Sequence, residues 1–170
     1  VVVGLLSSRA FPDAPPSVEL VETHISYLFL TGRYVYKMRK AVNFGFLDFT
    51  TLQKRLEDCN REVELNRRLS PDVYLGVVEI RRDGDRYSVE RPGETVDYAV
   101  KMRQLPREQA MSVLLHRGEV TPDMVRRVAH KIATFHQGAE RGERISRLSG
   151  YPAVYQNVTE NFAQTERYIG

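Results

Sequence analysis

Through the first hundred residues, apolar and polar positions alternate in short runs broken by turn residues. Residues 18–23 (VELVET), 25–30 (ISYLFL) and 34–39 (YVYKMR) read as three strands, rich in β-branched and aromatic side chains. Thr31-Gly32 marks a turn, and the short connections predict an antiparallel meander. Residues 1–11 read as weakly helical up to Pro12, after which Pro12, Pro15 and Pro16 form a linker. At residue 50 the period becomes helical: Leu52, Leu56, Cys59, Val63, Asn66 and Leu69 fall on one face. Thr50-Thr-Leu-Gln53 matches a capping box and Ser70-Pro71 ends the run, so a helix over residues 50–69 is predicted, about 30 Å long. Alternation returns over residues 73–80, 86–90 and 97–105, with Asp83-Gly84 as a hairpin turn. Beyond Pro106 the pattern is helical. Thr121-Pro122-Asp123 starts a helix with an apolar stripe of Met124, Val125, Val128, Ile132 and Phe135, closed by Gly138. Residues 153–168 read as a further helix.

The fold class that follows is α+β. An antiparallel sheet of about five strands carries one long helix over residues 1–104, and an all-helical part occupies residues 105–170. The Asp83-Gly84 hairpin adds a strand or projects from the edge.

Composition narrows the classes. Of the 170 residues 42% are hydrophobic and 28% charged, which excludes a disordered or fibrous chain and suffices for a core without staples. The single cysteine, Cys59, permits neither an internal disulfide nor a cysteine zinc cluster. That usage, with no apolar run of bilayer length and no basic-flanked leader, makes a cytoplasmic protein the expectation. Net charge is +3, from 25 basic and 22 acidic residues, too mild to argue for nucleic acid. Twenty of the 25 basic residues are arginine, which suits phosphate binding but more often reflects codon bias or heat tolerance. Neither GxxxxGK[ST], GxGxxG nor GxSxG occurs, and His24, His116, His130 and His136 include no pair in metal-ligand spacing.

Lys37 stands out because it lies mid-strand among apolar neighbours, sharing a face with Val35 and Arg39, while Tyr34, Tyr36 and Met38 take the other. A buried ammonium needs a partner; otherwise Lys37 is an edge lysine guarding against aggregation. The helix offers two carboxylates. Glu64, with Arg61, Arg67 and Arg68 at helical spacing, reads as a solvated, salt-bridged position. Glu62, spaced with Cys59, Leu65 and Leu69, leans inward and suits Lys37.

Three strands with a lysine on the third, a helix with an inward glutamate, more strands and then helices resemble the protein-kinase-like fold. Glu22-Thr-His-Ile-Ser26, Tyr34-Val-Tyr-Lys-Met38, Gly45-Phe-Leu-Asp-Phe49, Arg61-Glu-Val-Glu-Leu-Asn-Arg-Arg-Leu69 and Ala133-Thr-Phe-His136 carry a resemblance to the aminoglycoside phosphotransferase-related enzymes. Within that group the chain looks like an uncharacterised bacterial branch, sometimes fused to a P-loop ATPase domain. The resemblance implies that Lys37 meets the α- and β-phosphates of ATP and that Glu62 orients it. It implies that the 22–26 turn covers the phosphates, with Thr23, His24 and Ser26 within reach. It also implies that Met102, Arg103, Gln104 and Leu105 form the linker between lobes, whose backbone bonds the adenine edge, with Met102 beside the pocket.

Two features depart from the family. Lys37 and Glu62 are 25 residues apart, longer than the usual interval, and residues 40–49 account for the excess. The phenylalanines there, Phe44, Phe46 and Phe49, are expected in the core. The family's His-Gly-Asp-x-x-x-x-Asn loop and magnesium-binding Asp are also missing, so the catalytic base and Mg²⁺ ligands are expected beyond Gly170. The implied activity of the parent protein is phosphoryl transfer from ATP to the hydroxyl of a small molecule. The alternative is a catalytically silent nucleotide-binding module coupled to a downstream ATPase domain. A third reading, base stacking of nucleic acid on Tyr27, Tyr34 and Tyr36, rests on the arginine-rich sheet.

Overall fold

The computed structural model describes residues 1–166. The chain divides into two units, Val1–Pro122 and Asp123–Gly170.

The first unit is an α+β layer built on a six-stranded sheet: β1 (Glu19–Glu22), β2 (Ser26–Leu30), β3 (Tyr34–Arg39), β4 (Tyr74–Asp83), β5 (Arg86–Val89) and β6 (Glu94–Arg103). The spatial order is β1-β2-β3-β6-β4-β5 and every pairing is antiparallel. The expected meander forms β1 to β3. The sixth strand arises because the β4–β5 hairpin stays in the sheet and becomes its edge. Its turn is Gly84-Asp85, between the paired Asp83 and Arg86, rather than Asp83-Gly84. Gly84 takes φ +57° at the first central position, where a type II′ turn requires glycine.

One face of the sheet is closed by the N-terminal segment. Two 3₁₀ turns, Val3–Leu6 and Ser8–Ala10, stand where a weak helix was expected. They place Leu5, Ala10 and Phe11 over Phe29, Tyr36, Met38, Val78, Ile80, Val89 and Ala99, all buried. The Phe11 ring lies 4.9 Å from that of Tyr36. Tyr27 and Tyr34 pack against the same core, so none of the three tyrosines offers an open stacking platform.

The other face carries α1 (Leu52–Arg67). Cys59 and Val63 pack on Val100, flanked by Tyr74, Val77, Tyr98 and Met102. The helix begins two residues later than expected. Thr51 is the N-cap, its Oγ1 accepting the Lys54 N–H, and Gln53 bonds Glu57 instead of closing a box. Asn66, placed on the apolar stripe by periodicity, is exposed; Arg55 is buried in the same row as Cys59 and Val63. Glu64 is exposed, as expected.

Helix α2 (Met111–His116) closes the first unit. The second contains α3 (Pro122–Gln137, begun at the last residue of the first), α4 (Glu143–Ser149) and α5 (Tyr151–Glu166). The expected end of the last helix at Tyr168 lies outside the described residues. The predicted stripe of α3 is present, but Val125, Val128 and Ile132 are exposed, as are Val154, Val158 and Phe162 of α5. No helix among the described residues is long and apolar enough to cross a membrane.

Candidate functional site

Strand β3 sits at the middle of the sheet, so Lys37 has paired neighbours on both sides, Leu28 and Val100. Its side chain leaves on the α1 face. There Nζ donates to both oxygens of Glu62, at 2.9 and 3.0 Å. The Lys37 side chain is 25% exposed and that of Glu62 9%. Helical spacing brings Glu62 inward between Cys59 and Val63, and the central position of β3 removes the edge-guard role from Lys37.

Glu62 has a second cation, which sequence reasoning placed on the right face but did not connect. Arg39, two residues after Lys37 on the same face, bonds Glu62 Oε2 through Nη2, Asp58 Oδ2 through Nε at 2.5 Å, and Ser26 Oγ through Nη1 at 2.9 Å. Its guanidinium lies over the Phe49 ring, 5.3 Å from the centroid. The signal was available: Asp58 and Glu62 are four apart on a helix, and Lys37 and Arg39 are two apart on a strand, so two like-spaced pairs of opposite charge face each other. A second buried pair carries no local sequence signal. Arg55 Nε bonds Asp97 Oδ1 at 2.9 Å, and Arg55 Nη1 donates to Phe49 O at 3.0 Å. It joins α1 to β6.

Beside Lys37 the same sheet face is apolar and only half covered. Val35 lies one strand period away, flanked by Leu30 and Met102; Val21 pairs with Leu28, which pairs with Lys37. Val21, Leu28, Leu30 and Val35 are half-buried and belong to neither core cluster. The site therefore offers an apolar floor next to a partly exposed ammonium.

The other expected residues distribute around this floor. Thr23 closes the β1–β2 turn: its N–H and Oγ1 donate to Ser26 O, at 2.9 and 3.2 Å, and Oγ1 accepts the Ser26 N–H at 3.0 Å. His24 is exposed at the tip. Ser26 is fully buried and its hydroxyl is committed to Arg39, so it faces the ion-pair cluster rather than the turn. At the end of β6, the Arg103 and Gln104 N–H groups are already bonded to Val73 O and Arg33 O. Gln104 Oε1 also accepts the Gly32 N–H at 2.9 Å, tying this segment to the β2–β3 turn. Leu105 is 58% exposed. Met102 is the member of this group on the floor itself.

Residues 43–48 form a small hairpin, bridged from Asn43 to Asp48. Only Phe49 enters the core. Phe44 and Phe46 are 49% and 76% exposed, with rings stacked 6.3 Å apart, because the bridge turns both to the tip. The expectation that all three are core residues is thus corrected at two positions. Burial pushes the Cys59 thiol up to about 12, with Arg39 pulling the other way, so the thiol under this cluster stays protonated. Burial, followed by the Glu62 charge, raises the Tyr74 phenol. Among the described residues no group of three His, Cys, Asp or Glu is placed to hold a metal ion.

Comparison with known proteins adds three relatives, all uncharacterised: two from strains of Mycobacterium tuberculosis and one from Mycobacterium bovis. Each is 29% identical over 153 residues, which is 90% of this chain and 29% of the relative. The chain thus spans under a third of the length of the curated proteins it matches. No family model matches it. No solved structure matches it either.

Proposed function

We propose that residues 1–104 form the nucleotide-binding lobe of an ATP-dependent small-molecule phosphotransferase, of the protein-kinase-like kind that the sequence resembles. The observation that carries the reading is the Lys37–Glu62 pair at 2.9 Å on a central strand, beside a half-covered apolar floor. The purine would lie on Val35, Leu30 and Met102, and the phosphates would meet Lys37 at its exposed side. Glu62 holds Lys37 in place, and the β1–β2 turn supplies the His24 and Ile25 backbone toward the phosphate end. Leu105, whose N–H no backbone carbonyl of the described residues takes up, is the group at the linker that would bond the base. Mg²⁺ would be held by ligands outside the described residues. Transfer of the γ-phosphate to a hydroxyl would need a base that none of these residues supplies.

Calorimetry with ATP tests the reading on the 170-residue chain and on Lys37→Ala. Weak binding by the chain, lost in Lys37→Ala, is the expected result, with no turnover. ATP binding unchanged by Lys37→Ala removes the phosphate role, and with it the reading.

A further inference from the structure

Two cations share one buried carboxylate. Glu62 is bonded by Lys37 and by Arg39, but the two cations are not equivalent. Arg39 is 7% exposed and fixed on three sides, by Glu62, Asp58 and Ser26 Oγ. Lys37 is 25% exposed, and its hydrogen bonds among the described residues go to the two oxygens of Glu62. The four charges, Lys37, Arg39, Asp58 and Glu62, sum to zero. If Lys37 swings away, Glu62 still has a cation within hydrogen-bond distance. A carboxylate with one partner would instead be stranded, and stranding a buried charge is the costly event for such pairs. Helix α1 has further ties that Lys37 does not touch: Arg39 to Asp58, and Arg55 to Asp97.

We propose that Arg39 is a positioning residue that keeps Glu62 charge-compensated and α1 docked, so that Lys37 can share its ammonium with an anionic ligand while Glu62 still orients it and the helix stays in place. The proposal rests on the reading of Lys37 as a phosphate contact, but its core claim concerns Lys37 alone: Arg39 loosens the hold of Glu62 on Lys37. Where one ammonium is the only cation on the glutamate, it has to serve both the ligand and the helix. Here Arg39 separates the two tasks.

The test is a brief acetylation of the folded chain, with the Lys37 rate read by peptide mass spectrometry against exposed Lys131 as internal reference. Arg39→Met should slow Lys37 labelling roughly threefold to fivefold, because Glu62 then holds Lys37 alone; this is the worth of one partly exposed charge pair. Glu62→Gln should speed it, and Arg39→Met added to Glu62→Gln should change nothing further. An unchanged or faster rate in Arg39→Met overturns the proposal, as does an equal slowing in the Glu62→Gln background, which would mark a direct field of Arg39 rather than action through Glu62. Should Arg39→Met fail to melt cooperatively, Asp58→Asn decides. It leaves Glu62 as the only carboxylate of Arg39, so Lys37 should label faster, and an unchanged or slower rate refutes the role. ATP affinity on the same variants separates this proposal from the reading beneath it. Loss of the labelling pattern with ATP binding still dependent on Lys37 sinks the role of Arg39 alone. The labelling pattern without any Lys37-dependent ATP binding sinks the nucleotide reading alone.

Discussion

Removing the Asp97 carboxylate should destabilise the first unit by about 3 kcal/mol. Breaking one side of a buried ion pair typically costs about 3–5 kcal/mol, because the remaining charge stays desolvated. In Asp97→Ala, Arg55 loses the bond to Asp97 Oδ1 but keeps the Phe49 carbonyl, and it is about 10% exposed, which puts the loss at the lower end. The Tyr98 N–H also loses its acceptor, Asp97 Oδ1 at 2.9 Å. Urea unfolding followed by far-UV circular dichroism is the assay, since urea leaves charges unscreened. At a few degrees per kcal/mol for a domain of this size, the melting temperature should fall by about 10 °C. Glu94→Ala, which breaks a pair 46% and 68% exposed, is the control and should cost under about 1 kcal/mol. Replacing both partners, as Arg55→Met with Asp97→Leu, should recover most of the loss. A single-variant loss no greater than that of the control would refute the argument that this pair is desolvated and pins α1 to β6.

Three further outcomes follow from single contacts. Gly93→Ala should destabilise by about 2 kcal/mol in the same assay, since Gly93 sits at φ +143° and a Cβ would come within 2.5 Å of Arg82 O. Cys59, buried and with its thiol pushed up to about 12, should react with a thiol reagent at pH 8 only as fast as the unit unfolds; its share of stability is present below about pH 9 and lost as pH rises toward 12. Hydrogen bonds from Lys54 and then Thr50 hold the Asp48 carboxyl well below the usual carboxylate range, so its contribution is present above about pH 4 and lost as pH falls through the lower folded value. A plot of melting temperature against pH should therefore be flatter on its acid side in Asp48→Asn.

What the sequence made legible was local. Alternation and turn residues located β2, β3 and α1 within two residues, and the strand period put Lys37 and Glu62 on facing surfaces. What it hid was decided by tertiary partners. Arg55 reads as a solvent residue until Asp97, 42 positions later, is brought beneath it. Arg39 looks like the polar end of a strand until α1 supplies Asp58 and Glu62. Phe44 and Phe46 carry every local mark of core residues, yet a bridge between Asn43 and Asp48 points them outward. The Thr50 capping box lost to Thr51 because Asp48 Oδ1 takes both the N–H and the hydroxyl of Thr50. The N-terminal segment shows little periodicity because it is a cover, whose side chains fit one sheet face rather than a repeat.

The strand order has a consequence for the newborn chain. β1, β2 and β3 pair with their neighbours in sequence, so they can assemble as soon as residue 39 leaves the ribosome. The partner of β3 on its other side is β6, where Met38 meets Ala99 and Tyr34 meets Arg103. Until then the strand that carries Lys37 presents a bare edge of unpaired amides, the kind of surface that recruits strands from other chains. At about 5–20 residues per second, the roughly sixty residues between them take roughly 3–12 s to synthesise. Slowing translation between the codons for Lys40 and Arg103 should lengthen that exposure and lower the soluble yield, although every residue of the finished protein is unchanged.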